Sequence, residues 1–252
     1  MLVLPFLLVA STLLTIATTD KHTSGNTDQS DVKKMEIDKK MYGGKLIAPP
    51  PDKVTVTEEI WLNLTISDYY GNGSHLTQKV VIGCFGKLTP ITCLNYISLA
   101  KGYTKGRTFM GYKGTSVQKI VRDFMIQLGD VKTKYANGDS IFGTSFQDES
   151  FALSHNRAGW VGMANFGPDT NGSQFYILLH SSKWLDGKHV VFGKVLEGMD
   201  ALLKIAEEET GSSNNPLRDI TVEDSGVIGI KSPYILTAEQ LETDGDIHTG
   251  RN

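Results

Sequence analysis

The stretch KGTSVQKIVRDFMIQLGD, Lys113 to Asp130, holds one cation whose setting asks for a reason. Lys119 lies among Val117, Ile120, Val121, Phe124, Met125, Ile126 and Leu128. An ammonium this close to apolar side chains must reach water, pair with a carboxylate, or face a ligand. Taken alone, the stretch favours the first. A lysine beside a half-buried strand lays its stem on apolar surface and keeps its head in solvent. Other reactive groups are few. There is no C-x-x-C pair and no clustered His spacing, so no metal is expected. Cys84 falls on a predicted strand and Cys93 on the next predicted helix. They read as a disulfide pair or as small core residues, because sequence does not give the Cα separation a bridge requires. Sequons stand at Asn63, Asn72 and Asn171. Asn72, in YYGNGSH, has loop composition and is the foremost glycan acceptor. Asn63 alternates with Ile60, Leu62 and Leu64, so it faces away from the apolar side and is open to a glycan as well.

The elements that must position these groups follow from pattern. The chain has 252 residues, 40% of them apolar, which suits one domain of medium size with extra length at its ends. Net charge is −3 with both signs interspersed, and no basic stripe occurs, which argues against nucleic acid as a partner. The N-terminal MLVLPFLLVASTLLTIATT is apolar and uncharged. It reads as a signal peptide over residues 1–17, cleaved near Ala17 to Thr19, and so predicts the secretory pathway, in the endoplasmic reticulum lumen or outside the cell. The rival is an uncleaved anchor, but the run is short for a span and holds Pro5 and several Ser and Thr. Residues 18–53 are polar and end in APPPDK, the composition of a flexible linker with a stiff end. Residues 54–230 carry the pattern of a folded unit. Residues 231–252 form a tail expected to dock at YIL and then fray.

Within the folded unit strands dominate. EEIWLNLTI and QKVVIGCFG are predicted to form a hairpin. TPITCLNYISLAKG predicts a helix with Thr89 as N-cap, Pro90 in its first turn and Gly102 as its stop. QKIVRDFMIQLGD, WVGMANFG, SQFYILL, HVVFGKVL and ITVEDSGVIGI read as further strands, and Asp186-Gly187 as a tight turn. GMDALLKIAEEETG predicts a helix with Met199, Leu202, Leu203 and Ala206 on one face. Many strands with hairpin-length links and two helices imply a mainly β fold, an antiparallel sheet closed into a barrel with helices at its open ends.

Three stretches in order, FMIQLGD, GMANFGPDTNGSQFYI and WLDGKHVVFGKVLEGMD, closely resemble the signature segments of the cyclophilins. GYKGT, GTSFQDESF and the Thr-Pro helix start extend the resemblance over roughly Thr55 to Ile230. It implies a closed eight-stranded antiparallel barrel capped by two α-helices. It also implies peptidyl-prolyl cis–trans isomerase activity without a cofactor, on proline-containing segments of client proteins. Cyclosporin-type cyclic peptides are implied ligands, and a monomer is expected.

That chemistry has clear requirements. Turning an X-Pro bond means crossing a barrier of about 18–20 kcal/mol, because resonance stiffens the C–N bond. A catalyst must favour a twisted amide whose proline nitrogen has regained its lone pair. It needs an apolar slot for the ring, donors for the flanking backbone, and a cation near that nitrogen. By resemblance, Phe124, Met125 and Leu185 line the slot with Tyr176, and His189 stands at its rim. Gln127 and Asn165 contact the substrate backbone, Ala164 permits close approach, and Trp184 borders the groove. Lys119 takes the place of the family's arginine as the catalytic cation, with Gln174 supporting it. Asn171 belongs by resemblance to structure beside the groove rather than to a glycan. Other departures are Gln118 for the usual His, Arg122 for the usual Pro, Tyr176 for Phe and Phe166 for a small residue, with a shortened VKTKYANGDSIFG loop. Phe166 is expected to narrow the side pocket and disfavour bulky residues there.

The expected function is a prolyl isomerase assisting folding in the secretory pathway, with turnover lowered by Lys119. The alternative is a chaperone or escort that grips proline segments with little catalysis.

Overall fold

A computed structural model describes residues 53–133, 138–247 and 249, with the backbone of 41–42 and 45–46. The expected signal peptide and nearly all of the expected linker lie outside the described residues.

Alternation builds the first two barrel strands. Ile60, Leu62, Leu64 and Ile66 along β1 (Glu58–Ile66), and Val80, Ile82 and Cys84 along β2 (Leu76–Cys84), all point into one core. The strands pair antiparallel from Ile66↔Leu76 to Glu58↔Cys84. In the connecting loop Gly73 N–H donates to the Asp68 carboxylate at 2.6 Å, and Ser74 N–H to the Asn72 side-chain oxygen at 3.0 Å. Asn72 is exposed there, and Asn63 is half-buried on β1.

Six more strands follow: β3 (Val117–Val121), β4 (Met125–Leu128), β5 (Trp160–Met163), β6 (Phe175–Leu178), β7 (Val191–Glu197) and β8 (Ile220–Ile228). The eight-stranded sheet runs β8-β1-β2-β7-β5-β6-β4-β3, antiparallel throughout. Its two ends meet where Ser116 bridges Thr221. There Gly114 N–H donates to the Val222 carbonyl at 2.7 Å, and Val222 N–H to the Thr115 carbonyl at 2.8 Å. Closure removes the exposed strand edges, which is the physical advantage of the barrel.

Helix α1 (Pro90–Lys101) starts and stops where the sequence predicts, but its cap differs. Thr89 occupies the cap position without capping; its hydroxyl donates to the Phe85 carbonyl at 3.2 Å. The carboxylate of Glu149 caps the helix instead, taking the N–H groups of Ile91 and Thr92, both at 2.8 Å. A charge at that end also suits the helix dipole. Cys93 in α1 is bonded to Cys84 at the end of β2, with Cα atoms 6.0 Å apart, within the usual disulfide range.

Three differences from the sequence pattern have physical reasons. Helix α2 (Met199–Ala206) buries Met199, Ala201, Leu202, Ile205 and Ala206, whereas Leu203, expected inside, is exposed. The buried arc is turned toward Ala201 and Ile205, which leaves Leu203 just past its opposite edge. Asp186-Gly187 does turn the chain, with Gly187 at φ +74°. It closes no hairpin, because β7 pairs with β5 and β2 and not with β6. A 3₁₀ turn over Lys183–Leu185 precedes it. The described C-terminal residues, through Ile247, stay docked beyond YIL. Tyr234–Leu236 pairs with Val54–Val56, and a third helix, α3 (Ala238–Glu242), follows with a Thr237/Gln240 capping box. Ile247 is then buried, its N–H donating to the Leu196 carbonyl at 2.7 Å.

Apolar side chains form two clusters. One fills the barrel, with Tyr96, Phe175, Phe192 and Tyr112 in mutual ring contact. The other lies outside the sheet and includes Met125, Tyr176, Leu178, Trp160 and Val191. That outer cluster is the floor on which the site is built.

Candidate functional site

Strand register places the site residues in a row. Lys119 on β3 stands opposite Gln127 on β4, Gln127 opposite Tyr176 on β6, and Tyr176 opposite Gly162 on β5. Directly opposed residues in an antiparallel sheet share a face. A cation, an amide, an aromatic ring and a glycine therefore lie side by side outside the barrel. The intervening Phe175 and Ile177 point into the core.

A groove of about 540 Å³ opens over this row. All the residues predicted for the site line it, except Trp184: Lys119, Phe124, Met125, Gln127, Ala164, Asn165, Phe166, Gln174, Tyr176, Leu185 and His189. Trp184 is 59% exposed on the 3₁₀ turn and packs on Phe124, ring centroids 5.3 Å apart. It acts as an outer buttress of the groove wall.

One end of the groove is apolar, formed by Phe124, Met125, Tyr176 and Leu185. His189 meets the Tyr176 ring edge-to-face at 5.7 Å. Its Nδ1 lies 2.9 Å from the Met163 carbonyl and must donate to it. Burial holds the His189 imidazole below its usual value, with the bond to Met163 pulling the other way. The rim histidine is thus a neutral donor at pH 7.

The other end is polar. Gln127 Nε2 donates to Gln174 Oε1 at 2.7 Å, and Gln174 Nε2 donates to Asp130 Oδ1 at 2.9 Å. This chain fixes both amides. The expected support of Lys119 by Gln174 is absent, because Gln174 is held by Gln127 and Asp130. Lys119 is exposed, and its Nζ makes no hydrogen bond or ion pair with any described residue. Arg122 takes no part: its Nη2 donates to the Glu207 carbonyl at 2.8 Å, beyond the C-terminal end of α2. The side chain of Asn165 ties two loops together, donating to the Lys188 carbonyl at 2.9 Å and accepting from Gly167 N–H at 3.3 Å. Its backbone N–H and C=O have no partner among the described residues.

Phe166 departs from expectation. It lines the groove yet is 92% exposed, so it does not fill the side pocket. Its backbone N–H is held by the Thr170 hydroxyl at 2.9 Å, which leaves the ring standing free as a wall. Asn171 is fully buried, and its amide donates to the Asp148 carboxylate at 2.9 Å. Part of the shortened loop, residues 134–137, lies outside the described residues.

Sequence reasoning missed Gly138, Thr144, Ser145, Thr170 and Gly172, which complete the wall. GTSFQDESF and PDTNG carry them, and small hydroxyl residues near glycines were the only signal. It also missed His155, which is fully buried beneath Tyr176. His155 Nε2 lies 2.7 Å from Tyr176 Oη, and Nδ1 lies 2.7 Å from Asp186 Oδ1.

The family model described as cyclophilin-type peptidyl-prolyl cis-trans isomerase/CLD matches residues 73–227. The peptidyl-prolyl cis-trans isomerase CYP21-1 of Arabidopsis thaliana is 40% identical over 178 residues, covering 69% of this chain and 76% of that protein. A rhodopsin-specific isozyme of peptidyl-prolyl cis-trans isomerase from Calliphora vicina is 40% identical over 149 residues, 59% of this chain and 62% of the relative. Peptidyl-prolyl cis-trans isomerase D of Saccharomyces cerevisiae is 40% identical over 156 residues, 62% of this chain and 68% of the relative.

Proposed function

The chain belongs to the cyclophilin-type peptidyl-prolyl cis–trans isomerase family, and we propose that the groove is where it turns X-Pro bonds, acting on client proteins in the secretory pathway with lowered turnover. The proline ring enters the slot of Phe124, Met125, Tyr176 and Leu185. The unpaired backbone of Asn165 and the amide of Gln127 hold the flanking peptide. The cation at Lys119 favours the twisted state, in which the proline nitrogen becomes an acceptor.

One observation supports the lowered turnover: the Lys119 ammonium at the groove is exposed and has no partner among the described residues. A guanidinium presents a planar fork that can grip a neighbouring amide and the substrate together. An ammonium is a freely turning, strongly hydrated point charge. Losing one well-placed charge-assisted bond corresponds to about 1.5–3 kcal/mol, or roughly ten- to more than a hundredfold in rate.

The secretory reading is supported by the uncharged apolar N-terminus, the Cys84–Cys93 bridge and the exposed Asn72 sequon. Mature protein from animal cells should begin between Thr18 and Lys21 and carry glycans at Asn72 and Asn63 but none at Asn171. The domain acts as a monomer, and cyclosporin-type cyclic peptides compete for the groove. The same free ammonium favours a second reading, an escort that binds proline segments and turns them slowly. A protease-coupled assay on an Ala-Pro-Phe peptide separates the two. Acceleration that scales with protein concentration supports the isomerase, and peptide binding without acceleration supports the escort.

A further inference from the structure

The residue opposite Tyr176 is a glycine, and turn geometry does not account for it. Gly162 sits in the middle of β5, paired with Tyr176 on one side and Val191 on the other. Its φ is not in the left-handed region, so backbone freedom is not what requires glycine there. Space is. A Cβ at Gly162 would strike the Tyr176 hydroxyl and lie 2.6 Å from Cζ and 2.9 Å from Cε2. The ring therefore lies flat across the neighbouring strand, in room that only glycine leaves.

The hydroxyl is also tied down from below. Tyr176 Oη bonds His155 Nε2 at 2.7 Å, and His155 Nδ1 bonds Asp186 Oδ1 at 2.7 Å. The Asp186 carboxylate takes two more bonds, from His155 N–H at 2.8 Å and the Ser154 hydroxyl at 2.6 Å. Burial pushes the Asp186 carboxyl up, but these hydrogen bonds outweigh it and keep it ionised. An ionised carboxylate only accepts, so His155 Nδ1 carries a proton and, in the neutral ring, Nε2 accepts from the phenol. Burial and Asp186 push the Tyr176 phenol well above its usual value, so the hydroxyl stays protonated. Tyr–His–Asp is the connectivity of a catalytic triad, but the phenol is buried among protein atoms and has no reacting partner.

Asp186 directly follows Leu185, a slot residue, at the end of the 3₁₀ turn that carries Trp184. The relay thus joins the floor of the slot to its wall. We propose that Gly162 and Tyr176 are a matched pair that sets the depth of the proline slot, and that His155, oriented by Asp186, is the positioning residue that pins the ring in the room Gly162 provides. Specificity for the flat proline ring then depends on Gly162 and His155, which do not line the groove, as well as on Tyr176, which does. The inference rests on the groove being the proline-peptide site.

The test is a double-mutant cycle on Gly162→Ala and Tyr176→Phe in the full folded domain. Peptide Kd is read by tryptophan fluorescence, kcat and KM by the coupled assay, and the His155 tautomer by ¹⁵N NMR. Gly162→Ala should lift the ring into the slot, break its bond to His155 and weaken peptide binding about tenfold. Tyr176→Phe should raise Kd and KM about threefold with kcat nearly unchanged, the scale of one lost hydrogen bond. The double variant should match Gly162→Ala alone, since the bond is already lost, and both single variants should show the same change at His155 Nε2. Independent, multiplicative effects would overturn the pairing, as would Gly162→Ala with parental affinity. If Gly162→Ala does not fold, Tyr176→Phe decides: unchanged KM with an altered His155 tautomer refutes a positioning role. Because affinity is read directly, the outcomes stay separable. A parental protein that binds no proline peptide refutes the site itself, whereas parental binding with no coupling refutes only the pair.

Discussion

Lys194 Nζ lies 5.2 Å from the ring centroid of Trp160, with its stem buried in β7. It donates to the Ala158 carbonyl at 3.2 Å and the Thr243 carbonyl at 3.0 Å, and no carboxylate among the described residues bonds it. Burial brings this ammonium down to about 8. The unfolded chain holds the proton to about 10.4, so between these values the unfolded state binds more protons and stability rises with pH. Urea unfolding should show a gain of about 2 kcal/mol from pH 7.5 to 9.5 that Lys194→Met lacks. Parallel curves for the two proteins would contradict it.

His189 sets a second pH window, of the same sign. Its folded value lies below that of the free imidazole, so it is neutral in the fold where the unfolded chain is already charged. Stability is therefore fully present above about 6.5 and is lost as pH falls through the lowered folded value. Thermal melts from pH 7.5 to 5.5 should fall further for the parental protein than for His189→Gln. An equal fall would place the acid sensitivity elsewhere.

Phe166 should act as a wall and not as a plug. An aromatic ring 92% exposed beside a peptide groove gains by being covered. Peptides with Phe in place of Gly two or three residues before proline should bind about fivefold tighter, the scale of one aromatic contact. Phe166→Ala should erase the preference. A preference for Gly would restore the narrowing that the sequence alone suggested.

Much of this molecule is legible in its sequence where periodicity and local stops decide the outcome. The alternation of Ile60, Leu62, Leu64 and Ile66 marks an inward face, and Pro90 and Gly102 bracket α1. The groove residues were identifiable because ordered motifs carry them. What stayed hidden depends on partners distant in sequence. Glu149 caps a helix 58 residues before it, and nothing near Thr89 signals that. His155 and Asp186 meet across 31 residues. Leu203 looks like core until the neighbours of α2 define its buried arc. Phe166 was misjudged because sequence gives a side chain's size but not whether its ring points into a pocket or out of it. The docked C-terminus beyond YIL was missed because its contacts, among them the lone buried Ile247, Arg157 Nε to Glu242 at 2.7 Å and Ala158 N–H to Asp244 at 3.1 Å, are scattered and leave no periodic pattern.

The central claim is that Lys119 supplies the charge of an isomerase site without the fork that would complete it, and one comparison tests it most directly. Exchange of an X-Pro peptide measured by NMR, with peptide affinity measured alongside, should run at least severalfold faster with Lys119→Arg and slower with Lys119→Ala than with the parental protein. Affinity should change far less than rate in the Arg variant, because the cation matters most when the amide nitrogen has become an acceptor. Equal exchange rates for all three proteins would contradict the account, leaving Lys119 a solvent-facing lysine and the groove a binding site.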